Sequence, residues 1–353
     1  MLTTRAPSAE AGAAARQLIE LPLDALGLVL YQLSLAHDIA AVAPTCHQFC
    51  DAAKLAQKLR PFSGEVVTLP VSDAVHYVVT AAEGQIVTGT INQATTWMNG
   101  LNGLTFHTHA HHLSALEMLP DGVHFITGSV TAPGEGAVKL WAMDGSLKRS
   151  FDTGAVPDRI AVCADGTLLV MGEWRGYLKL FRMDGTLVRT IKGHSRHVVS
   201  LAATPDGQHF ISGSDDKRIK VWSVDSETCV SSWNAGSEIY ALAVTPDGTR
   251  VVSGSLSAQV KVWLLDGTLK NTFKLHSSVV HALVAMPDNQ HALSASGDAK
   301  VKLFNINDGA VLRTFRHHAF GVSCLALLPD GLRFVSGSYD DTACIAYHGL
   351  APQ

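Results

Sequence analysis

The sequence predicts a mainly β fold: seven copies of a four-stranded antiparallel unit, preceded by three short helices. Three observations carry this. An aromatic recurs at Trp97, Trp141, Phe181, Trp222, Trp263, Phe304 and Tyr347, at intervals of 44, 40, 41, 41, 41 and 43 residues. A turn signal precedes most of them, as in Pro120-Asp121-Gly122, Pro205-Asp206-Gly207, Pro246-Asp247-Gly248, Pro287-Asp288-Asn289 and Pro329-Asp330-Gly331. Proline presets φ in such a turn and glycine accepts the positive φ that closes it. Between turn and aromatic lies a strand end of small residues, Ser212-Gly213-Ser214 or Ser336-Gly337-Ser338. A repeat of about forty residues marks a modular array.

From the N-terminus, residues 1–17 are rich in alanine and read as a disordered tail, with a targeting segment as the alternative. Residues 18–60 break the repeat. There, LPLDALGLVLYQLS sets Leu26, Val29, Leu30 and Leu33 on one helical face. HDIAAVA suggests a second helix ended by Pro44, and TCHQFCDAAKLAQKL a third, with Phe49, Ala52, Ala53, Ala56 and Leu59 on its face. The linker, about 60–64, is short. The repeats then fill 62–348, with alternating stretches such as QHFISGS and RIKVW reading as strands. Each aromatic is followed by an outer strand, except Tyr347, which only HGLAPQ follows. The missing strand is EVVTLPV at 65–71, expected to pair with the last copy and close the ring, removing an exposed edge.

The totals narrow the function. An apolar share of 47% lets the 353-residue chain bury a large core, and 27 basic against 31 acidic residues give −4. That balance offers no broad attraction to nucleic acid or to an anionic membrane. Leu18–Ala36 is apolar but holds Glu20, Asp24 and Gln32, a poor membrane span. Cysteines 46, 50, 163, 229, 324 and 344 form no C-x-x-C pair. They are expected as buried thiols in a reducing compartment, cytoplasm or nucleus. No G-x-S-x-G, P-loop, H-E-x-x-H or G-x-G-x-x-G is present, so neither catalysis nor a cofactor is expected. FHTHAHH at 106–112 invites a metal reading, but adjacent imidazoles do not build a tetrahedral site, and no metal is expected there.

With four landmarks in register, residues 65–348 resemble the WD-repeat family of β-propellers. Departures are plain: Ser follows Trp222 and Leu follows Trp263 where the family places aspartate, and the copies around Trp97 and Trp141 are the most degraded. The resemblance implies a seven-bladed propeller and a hydrogen-bonded network of histidine, serine, aspartate and tryptophan inside a blade. His194, Ser212, Asp216 and Trp222 match it fully. His276 with Asp298 and His318 with Asp340 repeat the 22-residue spacing of His194 and Asp216. His109 takes the histidine position in an earlier copy. Propellers of this kind bind proteins on the face carrying these loops. Register there assigns His76, Ser114, Asp158, Val199, Tyr240, His281 and Ser323 to the central opening, with Trp174, Asp215 and Tyr339 beside it. None of the central positions carries arginine, which argues against a phosphopeptide reader, although Arg175, Arg196 and Lys217 lie nearby.

The helical segment resembles an F-box: Leu21-Pro22, Asp24, Leu26, Leu33, Asp38-Ile39, Thr45-Cys46 and Phe49 fall at its spacing. His47 and Phe49 replace the usual arginine and tryptophan. By this resemblance Leu21, Pro22, Leu26, Leu30, Leu33 and Ile39 would contact the Skp adaptor of a cullin-based ubiquitin ligase. The chain would then be a non-catalytic receptor holding a target protein, with a plain interaction scaffold as the alternative.

Overall fold

The computed structural model describes residues 66–350, apart from 82–83, 99–103, 109–111, 133–134, 164–165 and 227. The chain divides into two units at Gly64/Glu65. The expected helices at 18–60, the six Skp-contact residues, His109 and the tail all lie outside the described residues. What is described is a ring of seven four-stranded sheets.

Each of the first six blades is an antiparallel meander in chain order. The inner strands are Tyr77–Thr80, Leu113–Met118, Arg159–Val162, Val198–Ala203, Ile239–Val244, Val280–Ala285 and Val322–Leu327. Each touches the next around the ring, and the last touches the first. Blade 7 takes its outer strand from the other end of the chain. Val67–Pro70 pairs antiparallel with Thr342–Tyr347, with Thr68 opposite Cys344 and Leu69 opposite Ala343.

Burial follows strand position. The second strand of a blade, such as His209–Ser214, is enclosed almost throughout, whereas the outer strand, such as Leu187–Lys192, is largely exposed. Apolar and small residues therefore occupy the former and polar residues the latter. Each interface between neighbouring blades has its own apolar cluster. Between blades 5 and 6 it joins Val252 and Val262 to Leu283 and Phe304. Across the seam between blades 7 and 1 it joins Leu69 and Val335 to Val78 and Trp97.

The small-residue strand ends now have a cause. A Cβ on Gly213 would lie 2.5 Å from Ile239 Cγ2, and one on Gly254 2.6 Å from Val280 Cγ1. Glycine lets the next blade's inner strand close in. The turn residues Gly207, Gly248 and Asn289 adopt left-handed φ of 69°, 70° and 56°, as their turns require.

Two expectations are corrected. Tyr347 is not the seventh copy's structural aromatic. Phe210 pairs with Trp222 in blade 4, while its counterpart Phe334 pairs with Ala346 in blade 7. Tyr347 sits one residue later, opposite Arg333, and stacks on His348. The cysteines are also not uniformly buried: Cys163, Cys324 and Cys344 are, but Cys229 is exposed on an outer strand.

Candidate protein-binding face

The blade networks fix the loops of the face. In blade 4, Trp222 Nε1–H donates to Ser212 Oγ at 2.8 Å. His194 Nε2 lies 2.7 Å from the same hydroxyl, and its Nδ1 3.0 Å from Asp216. Asp216 also accepts the backbone N–H groups of Ser195 and Arg218, tying two loops together. Blade 6 repeats this with His276, Ser294 and Asp298, and blade 7 with His318, Ser336 and Asp340. Burial pushes the Asp216 carboxyl up. The hydrogen bond and charge of His194, with the Ser195 and Arg218 N–H groups, outweigh it and hold the group well below the usual carboxylate range.

A second device aims side chains at the central opening. Five inner strands carry a register shift that leaves one residue unpaired, namely Ser114, Val199, Tyr240, His281 and Ser323. A bulge re-aims its residue. In blades 1 and 3, His76 and Asp158 come just before the inner strand instead. Ser114 and Ser323 turn inward and donate to the carbonyls of Pro157 and Val75, and Val199 is buried. The ring-bearing positions meet one another. His76 contacts Tyr339 edge-on at 5.6 Å, Tyr339 contacts His281 at 6.1 Å, and His281 contacts Tyr240 at 6.2 Å. This aromatic arc crosses blades 1, 7, 6 and 5. Burial lowers the pKa of His76, with the charge of His112 adding to it, and burial with the charge of Arg159 lowers that of His281. Both shifts favour the neutral imidazole.

Opposite the arc is a polar cluster. Trp174, 69% exposed, stacks on His197 at 4.9 Å. His197 is clasped by Asp158 at Nε2 and faces Asp215 at 3.6 Å from Nδ1. Burial lowers the His197 pKa against the pull of both carboxylates. The imidazole thus lies between two carboxylates, one on each side of the ring. Beside Trp174, a cavity of about 610 Å³ runs between blades 2 and 3, lined by Val130, Val156, Tyr177 and Lys179 among others.

Sequence reasoning missed three contributors. His197 carries the cluster, yet its position lies outside the repeat network. Phe320, 64% exposed, follows His318. Arg159, next to the central position Asp158, is the third. Its charge acts on Tyr77, His197, Tyr240, His281 and Tyr339, groups from five different blades. The one signal available was that Arg159 directly follows a position already assigned to the opening.

Comparison with known proteins agrees with this architecture. Residues 185–223, 227–263, 267–305 and 309–345 match the model of the WD domain, G-beta repeat. The chain carries WD40 repeats. Each match begins at the outer strand of one blade and ends at the third strand of the next, so each WD40 repeat straddles two blades and interlocks them. Curated relatives are similar over the repeats. WD repeat-containing protein 1 of Gallus gallus is 35% identical over 115 residues, 30% of this chain and 19% of that protein. WD repeat and HMG-box DNA-binding protein 1 of Xenopus laevis is 30% identical over 106 residues, 28% of this chain and 9% of that protein. Intraflagellar transport protein 122 homolog of Mus musculus is 39% identical over 64 residues, 18% and 5% respectively. The chain thus spans less than a fifth of the length of these relatives. Among the described residues no helix is long and apolar enough to cross a membrane.

Proposed function

We propose that the WD40 propeller holds a segment of a target protein on the face described above. We further propose that the chain is the target-recognition subunit of a Skp–cullin–F-box ubiquitin ligase. The aromatic arc of His76, Tyr339, His281 and Tyr240, facing the Trp174–His197 cluster, supports the first statement. Exposed aromatic side chains on a rigid frame anchor protein interfaces at small entropic cost. Asp158, Asp215 and Arg159 add charges of both signs, which suits a polar peptide backbone with an apolar anchor. The F-box spacing at 21–49 supports the second statement, with Leu21, Pro22, Leu26, Leu30, Leu33 and Ile39 as Skp contacts. The mechanism is tethering: a held target meets the ubiquitin-charged enzyme at high effective concentration, with no bond made by this chain.

Affinity purification with neddylation blocked tests both. Skp and cullin are expected in the eluate, together with target proteins. Targets without Skp or cullin would leave a WD-repeat interaction scaffold and remove the ligase role.

A further inference from the structure

Blade 7 departs from its neighbours at three positions that converge on one point. In blades 2 to 6 the third strand carries a lysine, at 139, 179, 220, 261 and 302. Its Nζ donates to the carbonyl of Thr108, Thr153, Gly193, Ala235 and Leu275 respectively. Register puts Cys344 in that position, opposite Ser336 as Lys220 is opposite Ser212. The residue before the network histidine is Gly193 in blade 4 and Leu275 in blade 6, but His317 in blade 7. The place of the tryptophan is left to Ala346. His317 takes over its hydrogen bond, with Nε2 3.0 Å from Ser336 Oγ.

The outcome is a cluster inside the blade in which one nitrogen each of His317 and His318 and the Cys344 thiol lie within 4.8 Å of one another. Asp340 grips His318 Nδ1 at 3.1 Å, so the nitrogen that would turn to an ion is Nε2, which lies 2.8 Å from the Ser336 hydroxyl and would exchange that bond for the metal. A carboxylate behind a ligating imidazole is the usual support of a metal-bound histidine. Cys344 is buried at 1% exposure and His318 at 8%.

We propose that His317, His318 and Cys344 bind a zinc-class transition ion, with the Ser336 hydroxyl or a water as fourth ligand. Bonds of about 2.0 Å to nitrogen and 2.3 Å to sulfur put tetrahedral ligand atoms roughly 3.3–3.5 Å apart, so the site would close by roughly 1.3–1.5 Å on binding. Two nitrogens and one thiolate suit zinc or its cobalt surrogate, and exclude magnesium and calcium, which take oxygen ligands. Cys344 pairs with Thr68 of the closing strand, so the ion would fasten the seam where the ring's two ends meet. The sequence hides the site because its ligands are 26 residues apart and fit no zinc spacing.

The full chain, purified metal-free, is loaded separately with Zn²⁺ and Co²⁺ and freed of excess ion. One ion per chain is expected, with a thiolate-to-cobalt charge-transfer band and a melting temperature raised several degrees by Zn²⁺. All three are expected to vanish in Cys344→Ser and in His317→Ala, and to persist in His107→Ala with His112→Ala. If the single variants fail to fold, His317→Gly with Cys344→Lys rebuilds the lysine–carbonyl bond of blade 4 and is expected to fold without binding the ion. Wild-type chain that takes up neither ion, or folded variants that keep the stoichiometric ion and its band, would overturn the assignment.

Discussion

Ser212 holds the indole N–H of Trp222 and the His194 imidazole at once, so removing its hydroxyl orphans two buried partners. Ser253 of blade 5 holds Trp263 at 2.8 Å, and Ala235 stands where the network histidine would be. Ser212→Ala is therefore expected to cost about 1–3 kcal/mol, and Ser253→Ala measurably less, in urea unfolding of each variant. Equal losses would show that the histidine and aspartate add nothing. Titration gives a second residue-scale expectation. Asp216 has a folded pKa depressed below its unfolded value, so its stabilising contribution is whole above about pH 4 and fades as pH falls through the folded value. Between pH 6 and pH 2 the wild type should lose melting temperature faster than Asp216→Asn, the two curves converging in acid. Glu117 runs the other way. Burial pushes its carboxyl up to about 7, so its contribution is present below the unfolded pKa and is lost as pH rises through 7. Glu117→Gln should accordingly be relatively more stable at pH 8 than at pH 4.5, read as the difference in melting temperature from wild type.

At the scale of elements, the closing strand is the sharpest expectation. Leu69 is fully buried between blades 7 and 1, and Leu69→Ala should cost about 2–5 kcal/mol. Deleting 62–72 removes the whole strand and bares the edge of Thr342–Tyr347. The protein should then aggregate and lose its cooperative melt; unchanged melting and solubility would refute the closure's importance. The strands were legible because their signals are local. A Pro-Asp-Gly turn, a period of two and an aromatic every forty-one residues each report on a few neighbouring residues. The missing outer strand after Tyr347 could be inferred by counting. What the sequence concealed depends on pairing. Tyr347 kept the aromatic rhythm while the register handed its structural place to Ala346, and His317 took over the lost indole's bond through space. Bulges were equally invisible, since the unpaired residue in Val198–Ala203 is defined only by its partner strand.

For the whole molecule, the face joins residues far apart in the chain: His76 meets Tyr339, and Arg159 influences groups on five other blades. Repeat register could name most of these positions, because a ring brings equivalent residues to one end. It could not show that His76, Tyr339, His281 and Tyr240 touch in sequence, nor that His197 organises the opposite side. The N-terminal half of the proposal rests on the spacing of residues 21–49, the propeller half on this face, and they fail separately. The most direct measurement is a quantitative comparison of proteins co-purifying with the wild type, with Trp174→Ala plus Tyr339→Ala, and with the exposed outer-strand control Val230→Ala. The double variant should fold and melt like the wild type but lose target proteins at least tenfold, while the control keeps them and all three retain Skp. Targets retained at wild-type levels by the folded double variant would contradict the account.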